Sequence, residues 1–364
     1  MLTRKMRTSI VFSLVLAFVV MVAIAFYADI PRMIAALAHF RWEYLPLILG
    51  LTLFNYSGRF IKWQYYLRRL NIKIAPGKSL LIFLSGLSMA ITPGKVGELL
   101  KSYLLKRTTG AAISRTSPII VAERLTDGIA LLILAAAGLV LYRFGWELLL
   151  ALLVMSLAGV ILIQNRSLAL ALLNLLARVG ERLPLVLRIV NPLRAFYESS
   201  YTLLQWRPLL LGVFIGMISW SGECFALYFV YNGLGITGGI DLILKATFIM
   251  TVASLVGSAS GLPGGLGTVD GSMLGLTRIL LATSATIGGA ATLLIRLCTL
   301  WFGLLIGVGA LLTFRVIQRV DVTTELEDGG EEQDHKKTYI SPMDGPQVDS
   351  QPASTWANTG ETLV

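Results

Sequence analysis

The sequence predicts an all-α polytopic membrane protein with about six spanning helices and two re-entrant helical hairpins in inverted repeats. Three observations support this fold class. The 364 residues are 55% apolar and only 14% charged, whereas soluble domains carry about 25% charge. Several apolar runs have the roughly 20 residues that a helix needs to cross a bilayer. Short motifs recur in the same order in the two halves of the chain.

Six apolar runs are long enough to cross a membrane as helices. The first, residues 8–28, follows a short basic start; a cleaved signal peptide is the alternative, although this run exceeds the usual signal core. The others are residues 44–67, 118–142, 146–163, 208–231 and 286–314. Two further apolar stretches, residues 80–92 and 242–262, end at Pro-Gly sequences. Such interrupted stretches are typical of re-entrant or discontinuous helices.

The charge distribution predicts the orientation. The net charge of +10 divides into about +18 for residues 1–320 and −8 for residues 321–364. With a cytoplasmic N-terminus, every strongly basic segment lies on the cytoplasmic side, provided that both broken stretches are re-entrant. We therefore predict a cell inner membrane protein whose two termini are cytoplasmic. Within the membrane domain of residues 1–320, residues 164–207 read as an amphipathic cytoplasmic segment, and the acidic tail 321–364 as disordered.

The matching motifs relate residues 44–142 to residues 208–314. The matched segments are 56–59 with 220–223, 93–97 with 263–267, and 122–125 with 294–297, at offsets of 164, 170 and 172 residues. Each repeat would contain a spanning helix, a re-entrant hairpin and a second spanning helix, and the two repeats would run in opposite directions. Inverted repeats with broken helices at matching places are typical of transporters, and the breaks indicate the substrate site.

The predicted site suits an anion. A helix that restarts after such a break presents free N–H groups, which favour phosphate; the two restarts fall near Val96 and Thr268. A plain kink is the alternative. Charges inside a membrane are costly and mark function, and arginine binds phosphate with two parallel hydrogen bonds. The candidate binding residues are Arg59, Pro93, Gly94, Gly97, Glu98, Glu123, Arg124, Asp127, Glu223, Pro263, Gly264, Gly267 and Arg296.

Two alternatives without a binding role apply to these charged residues. The carboxylates could neutralise the arginines when the site is empty, but they could also form purely structural ion pairs, such as Glu223 with Arg59 or Arg296. A position near the membrane interface, with snorkelling side chains, is the other alternative; it concerns Arg59, Lys62, Glu98 and Arg278.

Other classes of function find little support. The two cysteines, Cys224 and Cys298, fall inside apolar runs and read as small buried residues. No spacing resembles a metal site or a disulfide framework, no phosphate loop for a nucleotide is present, and nothing resembles a nucleic-acid module. We therefore expect no cofactor, no metal, no nucleic-acid partner and no enzymatic activity, whereas an oligomer is compatible with the sequence.

Three segments resemble the lysylphosphatidylglycerol synthase transmembrane-region family, whose members are also called flippase-like domain proteins. They are Thr92-Pro93-Gly94-Lys95-Val96-Gly97-Glu98, Ala122-Glu123-Arg124-Leu125-Thr126-Asp127 and Gly261-Leu262-Pro263-Gly264-Gly265-Leu266-Gly267. The resemblance covers roughly residues 8–318. It implies a prokaryotic membrane protein that moves anionic or modified lipids between leaflets. It also places Pro93, Gly94, Glu98, Glu123, Arg124, Pro263, Gly264 and Arg296 at the headgroup cavity.

The sequence therefore predicts a translocase for a phosphate-bearing lipid, of the phospholipid or polyprenyl-phosphate type. The resemblance also implies a neighbouring glycosyl- or aminoacyl-transferase as a partner. Because only about 44 polar residues follow the last helix, we expect no lipid aminoacylation by this chain alone. Two alternatives stay open: a secondary transporter of a small anionic solute, and a membrane subunit that presents a lipid to a separate transferase.

Overall fold

The computed structural model describes residues 30–92, 97–139, 146–167, 169, 171 and 184–317. Every regular element in these ranges is helical. In chain order the α-helices are α1 (Ile30–Ala38), α2 (Leu45–Arg69), α3 (Pro76–Leu87), α4 (Leu99–Thr109), α5 (Ile113–Leu139), α6 (Trp146–Gln164), α7 (Pro184–Leu203), α8 (Trp206–Gly233), α9 (Ile240–Ala259), α10 (Thr268–Leu280) and α11 (Ala285–Ile317). Short 3-10 turns at Trp42–Tyr44 and Pro263–Gly265 precede α2 and α10, respectively.

Three helices have the length and apolar composition needed to cross a membrane: α8, α9 and α11. Helix α3 and the Leu149–Gln164 part of α6 are apolar but shorter. Helices α2, α5, α6, α8 and α11 correspond to the predicted runs from residue 44 onward. The first predicted span, residues 8–28, and the acidic tail 321–364 lie outside the described residues. The total of six spans, the re-entrant hairpins and the domain boundaries stay predictions.

The second predicted break is present. Helix α9 ends at Ala259, and α10 begins at Thr268. Between them, Gly264 has φ 59° and Gly267 has φ 82°, conformations that residues with a Cβ rarely adopt. The backbone N–H of Gly267 donates to Asp270 Oδ2 at 2.8 Å, so this carboxylate caps the restarted helix. At the first break, Pro93 and Gly94 lie outside the described residues.

Helices α2 and α8 pack closely through small residues. Gly58 of α2 contacts Ser219 of α8, and Gly222 of α8 contacts the backbone of Leu51, at 2.9 Å from the position a Cβ would take. Asn55 Nδ2 also donates to the Ser219 carbonyl at 3.0 Å. The 164-residue offset relates Asn55 to Ser219 and Gly58 to Gly222. The contacts across this crossing therefore involve positions that the 164-residue offset of the sequence motifs relates.

The packing buries Lys62 completely, so its side chain does not extend to the protein surface as a snorkelling lysine would. Lys62 is 0% exposed and forms an ion pair with Asp127 of α5. Gly216 of α8 lies over this pair, with its Cβ position 3.5 Å from both Lys62 Nζ and Asp127 Oδ1. Because glycine has no side chain there, α8 approaches closely enough to exclude solvent. Glu98 is also buried.

Helix α7, from the segment predicted to be amphipathic, packs against α5 and α6. Its last residue, Leu203, is fully buried in an apolar cluster with Trp63, Tyr66 and Ile119. A second apolar cluster joins α8, α9 and α11 around Leu227, Ile249 and Ile295. The cavity described next is lined by residues from both groups of helices. Both cysteines are free and buried, as predicted.

Candidate functional site

A polar cavity of about 180 Å³ lies among the helices. Its lining includes one glycine and five charged residues of the predicted site. The polar lining residues are Tyr56, Arg59, Glu98, Lys101, Arg124, Trp220, Glu223, Ser254, Ser258, Arg296 and Thr299. Gly264 of the second break also lines the cavity. The structure therefore brings together residues that are as far apart in the chain as Tyr56 and Thr299.

Equivalent residues of the two motif sets face the same cavity. Tyr56 and Arg59 come from α2, and their counterparts at offset 164, Trp220 and Glu223, come from α8. Arg124 of α5 and Arg296 of α11, which are equivalent at offset 172, also line it. Tyr56 and Trp220 were not among the predicted site residues. The sequence repeat could have identified both residues, since Tyr56 and Trp220 are the first residues of the matched segments 56–59 and 220–223.

Both equivalent arginines bind a carboxylate at the start of a helix. Arg124 makes a two-pronged contact with Glu98, which precedes α4: Nη2 to Oε1 is 2.8 Å and Nε to Oε2 is 3.0 Å. Arg296 Nε lies 2.9 Å from Oδ1 of Asp270 in the first turn of α10. The arrangement recurs in both halves: an arginine of a long helix holds an acid beside a break.

The second break carries additional contacts. Arg296 Nη2 donates to the Gly264 carbonyl at 2.8 Å, so this arginine holds both the loop and the acid that caps α10. The N–H groups of this helix start were predicted to bind an anion, and one of them, at Gly267, already holds the Asp270 carboxylate. Pro263 and Gly267 shape the loop without lining the cavity. At the first break, the Gly97 N–H donates to Thr92 Oγ1 at 2.9 Å.

Two buried lysines neutralise the remaining acids of α5. Lys101 Nζ lies 2.5 Å from Glu123 Oε2 and 4.8 Å from the centre of the Trp63 ring. Lys62 contacts Asp127 and donates to Thr126 Oγ1 at 3.3 Å. Neither Glu123 nor Asp127 lines the cavity, whereas Lys101 does. Lys101 was not predicted as a site residue, because the sequence placed it in a basic cytoplasmic loop.

Arg59 and Glu223 differ from the other charged residues of the cavity. Within the part of the chain that the structure describes, neither has a salt-bridge partner within 4.0 Å or a side-chain hydrogen bond. Glu223 does not pair with Arg59 or Arg296, the pairings considered from the sequence. Arg59 is partly exposed to the cavity. This guanidinium is therefore available to a ligand without first releasing a carboxylate.

The described residues contain no group of three or more His, Cys, Asp or Glu side chains that is placed to bind a metal ion. The site instead offers guanidinium groups, one ammonium group, two hydroxyl-bearing serines and an indole. The Trp220 Nε1 donor is buried without a hydrogen-bond partner in the same ranges. The four cations of the lining outnumber its two carboxylates, Glu98 and Glu223, and these cations and donors are suited to a phosphate or another oxyanion.

Comparison with known proteins gives a consistent assignment. The family described as the lysylphosphatidylglycerol synthase TM region matches residues 10–307. Two proteins of Methanothermobacter thermautotrophicus, each named UPF0104 membrane protein, are similar to this chain. One is 25% identical over 275 residues, which cover 69% of this chain and 79% of the relative. The other is 24% identical over 315 residues, which cover 79% and 88%. This chain is a membrane protein that belongs to the lysylphosphatidylglycerol synthase transmembrane-region family.

Proposed function

We propose that this protein is a lipid translocase that binds a phosphate-bearing headgroup in the central cavity and passes it between the leaflets. The observation that carries the proposal is the set of cavity-lining arginines. Arg59 has no salt-bridge partner in the described part of the chain, while Arg124 and Arg296 occupy equivalent positions beside it. A guanidinium can hold a phosphate through two parallel charge-assisted hydrogen bonds.

Arg124 and Arg296, which are each paired with a carboxylate, can also bind the phosphate of a headgroup held at Arg59. A phosphate that reaches Arg124 can exchange with Glu98, and one that reaches Arg296 can exchange with Asp270. Because the cavity is partly desolvated, an arginine that loses its carboxylate needs another anion at once. A headgroup held by Arg59 could therefore step from one exchangeable pair to its equivalent in the other half, without leaving a buried charge unneutralised.

The volume of the cavity suits a headgroup and excludes a whole lipid. About 180 Å³ is less than the 300–1,000 Å³ of pockets that enclose drug-sized ligands. The acyl chains must then remain in the bilayer while the headgroup moves through the protein. A transporter of a small anionic solute is the competing function for the same lining, and the substrate that moves decides between them.

The test is lipid movement in proteoliposomes that contain the full chain. Fluorescent phosphatidylglycerol and phosphatidylcholine report lipid transfer, and radiolabelled phosphate reports solute uptake. We expect faster transfer of phosphatidylglycerol and little uptake of phosphate. Arg59→Ala removes a charged hydrogen-bonding partner and should weaken headgroup binding by roughly 10- to 100-fold, since such bonds contribute about 1.5–3 kcal/mol. Arg107→Ala, which removes an exposed arginine outside the cavity, should change nothing.

Other results would replace the proposal. Phosphate uptake that depends on Arg59, without lipid transfer, would assign a solute transporter. Phosphatidylglycerol that binds in an Arg59-dependent way but never changes leaflet would assign a subunit that presents lipid to a separate transferase. If the Arg59→Ala variant transfers lipid as fast as the unmodified protein, the phosphate of the headgroup does not bind in this cavity.

A further inference from the structure

A second cavity lies between the C-terminal half of α2 and the early part of α8. It has a volume of about 850 Å³ and is open on one side. It is bordered by the last turns of α2, by the loop that leads to α3, and by the early part of α8. We call it the α2–α8 groove. It has no lining residue in common with the central cavity.

The two ends of the groove differ in chemistry. Ile61 of α2 and Ile215 of α8 line one end, and Leu211 lies one helical turn closer to the other end, where Arg68 and Lys73 stand beside the apolar Ile72 and Ile74. Ile61 and Arg68 are seven residues apart in one helix, which corresponds to about 10 Å along its axis. The groove is therefore apolar along its length and carries two cations at one end, about 10 Å from Ile61.

Three polar side chains near the cationic end lack side-chain partners among the described residues. Gln64, Arg68 and Lys73 make no side-chain hydrogen bond or ion pair with any residue that the structure describes, although Arg69, the neighbour of Arg68, donates to Gln205 Oε1 at 2.9 Å. Gln64 also lies in the groove, and the lining contains no acidic residue. The groove thus combines two cations and an amide that no residue in the described ranges neutralises or hydrogen-bonds through its side chain.

The apolar end indicates which anion is bound. Ile61 is 59% exposed and Leu211 is 39% exposed, and in a membrane protein such side chains contact lipid. A free phosphate ion would use only Arg68 and Lys73. A lipid with a phosphate headgroup would use both ends together. The sequence also predicts that this end of α2 faces the cytoplasm, where anionic lipids attract basic residues close to the membrane.

We propose that the α2–α8 groove binds one anionic phospholipid, with its phosphate at Arg68 and Lys73 and the upper part of an acyl chain against Ile61 and Leu211. This site is separate from the translocation cavity. The occupied groove would link α2 to α8, the two helices that cross at Gly58 and Ser219. A bound lipid would therefore stabilise that crossing from outside.

The proposal can be tested with lipids that carry a photoactivatable diazirine on the acyl chain. The full-length protein is reconstituted with phosphatidylglycerol or phosphatidylcholine probes, and mass spectrometry locates the labelled residues after irradiation. We expect the phosphatidylglycerol probe to label residues 60–76 much more than the phosphatidylcholine probe does. Unlabelled phosphatidylglycerol should compete, whereas inorganic phosphate should not.

Substitutions give the site its controls. Each basic residue near a membrane surface contributes about 1 kcal/mol to anionic lipid binding, so Arg68→Gln with Lys73→Gln should weaken binding roughly 30-fold. Lys106→Gln with Arg107→Gln removes the same charge from the exposed end of α4 and should leave labelling unchanged. Arg59→Ala should also leave it unchanged, so that a failure of the central site is seen separately.

Three results would overturn the proposal. Equal labelling of residues 60–76 by both probes would indicate ordinary bilayer contact. Labelling that persists in the Arg68→Gln, Lys73→Gln variant would mean that these cations hold no lipid. Competition by inorganic phosphate as strong as that by phosphatidylglycerol would reduce the groove to a simple anion site.

Discussion

The buried ion pair between Lys101 and Glu123 offers a quantitative test of the packing around the cavity. The Lys101 side chain is 5% exposed and that of Glu123 is 3% exposed, with 2.5 Å between Nζ and Oε2. Glu123 Oε1 has no hydrogen-bond partner among the described residues. The lysine is thus the main group that stabilises this carboxylate. Lys101→Met keeps most of the side-chain length and removes the charge.

The expected loss follows from what the substitution leaves behind. An unpaired carboxylate in a buried position costs about 3–5 kcal/mol of unfolding free energy. The contact of the ammonium with the Trp63 ring, at 4.8 Å, adds up to about 2 kcal/mol because it is desolvated. Lys101→Met together with Glu123→Gln leaves no unpaired charge at this position. The double variant should therefore be more stable than Lys101→Met by about 2 kcal/mol or more.

The assay is equilibrium unfolding of the purified protein in mixed detergent micelles, followed by circular dichroism. The pair of Lys245 and Asp241 in α9 is a matched control, since its atoms are 2.7 Å apart but Asp241 is 60% exposed. Lys245→Met should cost no more than about 0.5 kcal/mol. A loss of less than about 1 kcal/mol in Lys101→Met, or a double variant as unstable as Lys101→Met, would show that Lys101 does not stabilise the buried Glu123 carboxylate.

Three further substitutions test other parts of the structure. Gly58→Leu should destabilise the protein by about 1–3 kcal/mol in the same unfolding assay, because a side chain there collides with α8; Gly50→Leu on the same helix, with nothing within 4 Å, should be tolerated. Glu98→Gln weakens the hold on Arg124 and should tighten the binding of phosphatidylglycerol, measured by titration with vesicles. Tyr56→Phe removes the 2.7 Å hydrogen bond to the carbonyl of residue 299 and should cost about 1 kcal/mol of unfolding free energy.

Each of these expectations has an opposite result. Equal stability of the Gly58→Leu and Gly50→Leu variants would contradict the close crossing of α2 and α8. Weaker phosphatidylglycerol binding by Glu98→Gln would mean that the acid positions Arg124 instead of competing with the lipid. If Tyr56→Phe does not change the unfolding free energy, the hydrogen bond from Tyr56 to the π-helical turn Leu297–Trp301 does not stabilise the protein.

The sequence by itself determined the elements that depend on local properties. The length of an apolar run is enough to predict a helix such as α8, since a membrane leaves the backbone no other way to satisfy its hydrogen bonds. Glycine and proline act within a few residues, so the end of α9 at Ala259 and the restart at Thr268 were also predictable. The motifs that carry the family resemblance are equally local, and the match to residues 10–307 confirms that membership.

Only the tertiary structure decided which charges pair. Arg124 binds Glu98, and Lys62 lies buried against Asp127; neither pairing could be predicted from the sequence. A pairing depends on how each helix is rotated about its axis and on how closely the helices approach. That approach is set at contacts such as Gly216 over Lys62, between residues more than 150 positions apart. The same packing left Arg59 in the cavity without a carboxylate, which is the feature that the proposed function requires.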